Sequence, residues 1–268
     1  MRSAPRFAAG LVRDHRDGLR EVVLVSLFVL AYFGIRNQTA GSAATAYANA
    51  DRLMRFERTV HLAWEASLQA PVVAHPLLVT LANWVYIWGH WPVIIVVAFL
   101  LFRYRRGQYL LLRNALFVSG AIGFLFFALF PVAPPRLADP ALVDTVTLHS
   151  HAYRALQPPG LTDQFAAFPS LHFGWNLLAG IAVFSAVRYV PLRVLCIVGP
   201  AAMAAAVVIT ANHYVVDVLG GLAVVLVGLA VSLATSSPRL HSAADAVLHR
   251  SPRGQRPGAA SPGGRARH

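Results

Sequence analysis

The sequence predicts an all-α polytopic membrane protein, a bundle of six transmembrane helices, and three observations carry that prediction. Apolar residues make up 57% of the 268 positions and charged residues only 13%, whereas about a quarter of an ordinary soluble domain is charged. Six apolar stretches approach the roughly 20 helical residues needed to cross a hydrocarbon core of about 30 Å. The basic residues, all 23 of them arginine, concentrate in alternate connections between those stretches.

A basic segment, residues 1–20, opens the chain, followed by the membrane domain over 21–235. The spans are placed at 21–37, 76–102, 110–131, 168–187, 191–211 and 213–235. The first has a short apolar part, Val22 to Ile35, trailed by the small-residue run "ATAYANA"; this resembles a signal peptide, but the small residues lie too far beyond the apolar run for cleavage to be expected. Residues 45–70 place Leu53, Phe56, Val60, Ala63, Trp64 and Leu68 on one helical face, with Arg55, Arg58 and Glu65 largely on the other. That pattern predicts an amphipathic helix lying in the interface, and leaves His61 on its surface. The connection at 132–167, with five prolines, is the longest internal loop. The Pro-, Gly-, Ser- and Arg-rich tail, 236–268, is expected to be disordered.

With six spans and a cytoplasmic N-terminus, 17 arginines fall inside and 6 outside. This positive-inside bias predicts a multi-pass cell-membrane protein with both termini cytoplasmic, and the lysine-free composition rich in Ala, Arg, Val, Leu and Gly suggests a GC-rich bacterial genome. The bias also accounts for the net charge of +12 through the bilayer, without a nucleic-acid partner. The single cysteine, Cys196, excludes a disulfide framework and a cysteine metal cluster.

Ionisable side chains at membrane depth are costly and point to function. Three clusters stand out: "FPVAPPRLA" at 130–138, "FPSLHFGWN" at 168–176 and "ANHYVVDVLGG" at 211–221. The predicted topology brings all three to the extracytoplasmic face. His213 and Asp217, spaced i and i+4, share a helical face, so the carboxylate can fix the imidazole tautomer and leave the other nitrogen as a nucleophile or base. Ser170 and His172 follow Pro169 at a helix N-terminus, where free N–H groups favour an anion. Arg136 adds a planar cation suited to phosphate. Singly, these residues read as a structural contact, a helix cap and an interfacial anchor; together they are the parts needed for phosphoryl transfer through histidine.

The strings "PPR", "FPSLH" and "NHYVVD" resemble the three signature motifs of the type 2 phosphatidic acid phosphatase superfamily, and in particular its branch similar to inositol phosphorylceramide synthase, the aureobasidin-resistance type. The resemblance covers roughly residues 45–235 and implies a six-helix membrane fold. It implies that His213 is the nucleophile forming a phosphohistidine, Asp217 its orienting partner, His172 the general acid and then base, and Arg136 and Ser170 ligands of the phosphate oxygens. No cofactor or metal is required. The substrate implied is a phospholipid such as phosphatidylinositol, whose phospho-headgroup passes to a lipid or polyol hydroxyl. The alternative is hydrolysis of phosphatidic acid or a polyprenyl (di)phosphate.

The chain departs from the phosphatase pattern where it has Leu129 for a lysine, Leu137 for a proline, Leu171 for a glycine and Val207 for an arginine. Two phosphate-binding cations are thus missing, and Arg154, Arg55 and Arg58 are candidates to replace them. One remaining arginine suits a phosphodiester monoanion better than a phosphomonoester dianion. In "NWVYIWGHWP", Asn83, Tyr86 and His90 lie near one stripe; the resemblance implies substrate contact there, while polar residues joining helices beneath a belt of Trp84, Trp88 and Trp91 explain it equally.

Functions of another class remain open to the same residues. A haem-binding protein would use His90, His172 and His213 as axial ligands, which leaves Asp217 and Arg136 unexplained. A transporter lacks an internal repeat to support it, and an intramembrane serine protease built on Ser170 lacks an oxyanion motif.

Overall fold

The computed structural model describes residues 18–28, 30–31, 43–149 and 164–248. The basic segment up to residue 17, the end of the first expected span, the loop around Arg154 and the tail beyond 248 lie outside the described residues. The elements that follow the first helical stretch are α1 (Ala43–Thr59), α2 (Glu65–Val73), α3 (Pro76–Trp88), α4 (Trp91–Tyr104), α5 (Arg106–Leu129), α6 (Pro135–Ala138), α7 (Thr145–His149), α8 (Leu171–Ala186), α9 (Val190–Ile209) and α10 (Val215–Leu248). Among the described residues there is no strand, only an isolated bridge between Val132 and Ala166. The chain divides into one compact unit over Met1–Leu233 and a second over Ala234–His268. In the second unit the helix begun in α10 continues to Leu248.

Among the described residues, three helical segments are long and apolar enough to cross a membrane: α5, α9 and the Val215–Ser236 part of α10. Their outward side chains, among them Phe99 of the neighbouring α4, Leu125, Ile197 and Leu226, are large, apolar and exposed. Such a surface requires lipid to cover it. The protein is therefore multi-pass, with three such spans, or four when α3 and α4 count as one.

Two of the six expected spans take a different form among the described residues. The stretch 76–102 is broken: α3 and α4 meet at an angle of 44°, where Gly89 closes one helix and Pro92 opens the next. A proline in the first turn continues a helix well but cannot extend the preceding one. The break leaves His90 between the two helices. The stretch 168–187 yields a helix of only 16 residues, Leu171–Ala186, roughly 24 Å at 1.5 Å per residue and short of the hydrocarbon thickness. The first stretch is only partly described; Glu21 pairs there with Arg113 at 2.6 Å, and Phe28 stacks on Phe117 of α5.

The single amphipathic helix over 45–70 is also corrected. It is two helices, separated by a turn in which His61 is exposed and has φ 58°. The buried stripe is Ala46, Asn49, Ala50, Leu53 and Glu57, continued by Glu65 and Gln69 of α2. Phe56, Trp64 and Leu68, expected on the apolar face, point outward. Two acidic residues, Glu57 and Glu65, are thus buried on the side facing the bundle, because they accept backbone N–H groups there.

Glycines let α8 and α10 cross closely. A Cβ at Gly221 would collide with the Ser170 carbonyl oxygen, and one at Gly174 would meet Val225 at 2.6 Å. Small residues at a crossing allow backbone contact between membrane helices. The arginines at 103–113 and 188–193 lie at the opposite end of α5, α8 and α9 from this crossing's Ser170 end.

Candidate active site

The loop after α5, the start of α8, the turn between α9 and α10, and the α3–α4 break all meet at one end of the bundle. Backbone hydrogen bonds lock them together. Val132 donates to Phe165 at 2.7 Å, Ser170 donates to the Asp217 carbonyl at 2.9 Å, and Arg136 donates from its backbone to the Ala211 carbonyl at 2.9 Å. The last two bonds each join two of the three sequence clusters, and the first ties the 130–138 cluster to the segment just before 168–176. The Tyr214 hydroxyl adds a fourth tie, to the Ala133 carbonyl at 3.0 Å.

The turn carrying His213 is tight. Ala211 adopts φ 55°, a left-handed conformation that costs a non-glycine residue on the order of 1–2 kcal/mol and persists where surroundings over-determine it. Asn212 and His213 then both donate their backbone N–H groups to the Val207 carbonyl, at 3.1 and 3.0 Å. The turn points the two side chains into the cluster, where both are buried.

His213 Nδ1 lies 2.7 Å from the Ala167 carbonyl oxygen and 3.4 Å from Asp217 Oδ2. A carbonyl can only accept, so Nδ1 carries the hydrogen and Nε2 keeps its lone pair. The expectation that Asp217 alone fixes this tautomer is thereby refined. The backbone of the "FPSLH" segment makes the shorter contact, while Asp217 Oδ2 also accepts the Tyr214 N–H at 2.8 Å. The other Asp217 oxygen and the Ser170 hydroxyl are buried without a hydrogen-bond partner.

His172 stands 5.6 Å from His213 between ring centroids. Its ring is stacked on Tyr86 at 4.8 Å and lies 4.2 Å from His90. The Arg136 guanidinium is close enough to interact electrostatically with both His172 and His213. It is held by Asn212 Oδ1 at 2.5 Å and by Asp144 Oδ2 at 3.4 Å. The structure thus brings Arg136, Ser170, His172, His213 and Asp217 into one cluster.

The remaining sequence candidates separate. Tyr86 and His90 are buried against His172, and His90 Nδ1 is 3.5 Å from the Asn176 amide. Asn83 is also buried, but its amide donates to the Thr145 carbonyl and accepts from the Thr145 hydroxyl. It frames a loop rather than lining the His172 pocket. Arg55 and Arg58 are exposed, away from the buried stripe of α1. At the two positions where the resembled motifs have cations, Leu129 is exposed and Val207 is fully buried among apolar residues. Trp84 and Trp88 face outward, whereas Trp91 also packs edge-on against His90 and Trp175.

Several functional contributors escaped the sequence reading. Asn212 was visible beside His213 in the motif. Glu57 and Glu65 were not, since their partners are distant: they accept the backbone N–H groups of Val216 and Val215, each at 2.8 Å. They cap the start of α10, which carries Asp217.

These features define an all-helical membrane protein with histidine, aspartate and arginine side chains gathered at one end of its bundle. The chain belongs to the PAP2 superfamily, that of the type 2 phosphatidic acid phosphatases, whose family model matches residues 51–231. It is accordingly a lipid enzyme of the phosphatase or phosphotransferase type. No curated protein and no solved structure matches it.

Proposed function

We propose that the protein is a phosphotransferase that moves a phospho-headgroup from a phospholipid diester, such as phosphatidylinositol, to a lipid or polyol hydroxyl at the extracytoplasmic face. Nε2 of His213 attacks phosphorus. The bond from phosphorus to the diacylglycerol oxygen breaks, and that oxygen leaves with the electron pair and a proton from His172. The phosphohistidine then reacts with an acceptor hydroxyl. His172 removes its proton, the new P–O bond forms, and the P–N electron pair returns to His213. Arg136 and the Ser170 hydroxyl bind the non-bridging oxygens, and the helix start at α8 favours their charge. This chemistry calls for no metal.

The observation that carries this reading is the cluster's charge. Arg136 meets the two histidines without the two further cations of the phosphatase motifs, and an apolar residue stands in each of their positions. A phosphodiester brings one negative charge where a phosphomonoester brings about two. The site's exposed apolar surroundings suit a substrate that stays in the bilayer.

The test is an assay of purified protein with phosphatidylinositol plus a lipid alcohol, beside phosphatidic acid alone. The expected product is a new phospho-headgroup lipid together with diacylglycerol, with His213→Ala and His172→Ala inactive at unchanged expression. Rapid hydrolysis of phosphatidic acid with no transfer to any hydroxyl would establish the phosphatase alternative instead.

A further inference from the structure

We propose that Asp144 is a specificity-determining residue, a fixed counter-charge on Arg136 that selects monoanionic phosphodiesters over dianionic phosphate groups. The proposal rests on the assignment of Arg136 to phosphate and deepens it.

Asp144 approaches Arg136 Nε to 3.4 Å through Oδ2, with its side chain 22% exposed. Its other oxygen accepts the Thr147 N–H at 2.9 Å at the start of α7, so the carboxylate is oriented at both ends. The chain on either side of it is clamped. On one side, the Gln69 amide both donates to the Val143 carbonyl at 2.9 Å and accepts the Val143 N–H at 2.8 Å. On the other, Asn83 makes the paired bonds to Thr145. Gln69 and Asn83 are 3% and 2% exposed, so two buried amides, from α2 and α3, are committed to holding three consecutive residues.

Such a frame explains why polar Asn83 and Gln69 occur on otherwise apolar helices. It presents one negative charge to the cation of the cluster. A ligand reaching Arg136 must share it with Asp144, and like charges in a partly buried site repel strongly. The penalty is larger for a dianion than for a monoanion. Asp144 thus extends the effect of the two missing motif cations: it offsets part of the charge of Arg136, the arginine that the described residues bring to the cluster.

The test uses the full chain in detergent and two soluble probes: inorganic phosphate at alkaline pH, a dianion, and dimethyl phosphate, a monoanion. Binding is read by competition with lipid turnover or by thermal shift. Asp144→Asn keeps an oxygen able to cap Thr147. It is expected to bind phosphate about tenfold more tightly than wild type, and dimethyl phosphate, with half the charge, about threefold. Asp144→Ser, which also retains a capping oxygen, is the second variant should the first not fold. Equal tightening of both probes, or none, overturns the proposal. If Arg136→Leu abolishes binding of both probes while Asp144→Asn leaves both unchanged, the phosphate site stands and the selector alone falls. Failure of wild type to bind either anion removes the phosphate assignment and the selector with it.

Discussion

In the proposed mechanism His213 and His172 divide the work by what each ring touches. The Ala167 carbonyl holds His213 with its Nε2 lone pair available, while the His172 ring lies against those of Tyr86 and His90. If His172 protonates the leaving oxygen, His172→Ala should lower turnover of an alkyl-leaving substrate by about 10²–10⁴-fold. The defect should shrink for a p-nitrophenyl phosphodiester, whose leaving group needs no proton. Equal losses for both substrates would assign His172 to binding rather than acid catalysis. The residue types and spacings of this chemistry were readable in the sequence, although His213 meets Asp217 from the turn before α10 and not from a shared helical face. The carbonyl of Ala167 was not, because a backbone group 46 residues away leaves no mark on residue type.

At the level of elements, α1 and α2 do more than lie in an interface. They bury Glu57 and Glu65, which cap the amino end of α10. Burial pushes the Glu57 carboxyl up to about 8; the Glu65 and Asp217 carboxylates push the same way, against the Val216 N–H. Tyr214 is the other titratable group close by. The folded protein therefore keeps a proton on Glu57 that the unfolded chain releases near pH 4.5. Rising pH between 4.5 and about 8 favours the unfolded chain, so stability falls across that window. Glu57→Gln should remove this component, and its thermal midpoint in detergent should decline less than that of wild type over the same range. Parallel declines would contradict a protonated Glu57. A helical period marked an apolar face, and Phe56, Trp64 and Leu68 on it are exposed, while the turn that splits the stretch into two helices and the buried Glu57 and Glu65 were not legible from it. The α8–α10 crossing makes a second prediction. Gly221→Ala drives a methyl into the Ser170 backbone and should lower both thermal stability and activity, while Gly107→Ala, with open space around it, should change neither.

Over the whole molecule, arginine distribution and apolar stretches foretold a multi-pass helical protein, and three distant clusters do meet at one bundle end. The arginines at 103–113 and 188–193 sit at the other end, as the loop count required. Less legible were the break at Gly89 and the short α8, since hydropathy measures apolar length and is blind to a bend. The loop frame around Asp144 was hidden for a similar reason: its buried amides look like ordinary polar residues until their partners are known. The most direct test of the central claim is to mix the protein with a phospholipid labelled at phosphorus, quench it rapidly and look for label on the chain. The account predicts an acid-labile phosphoprotein that is absent in His213→Ala and that an added alcohol chases into a new lipid. Product formation with no label on the protein, or label that persists in His213→Ala, would contradict it.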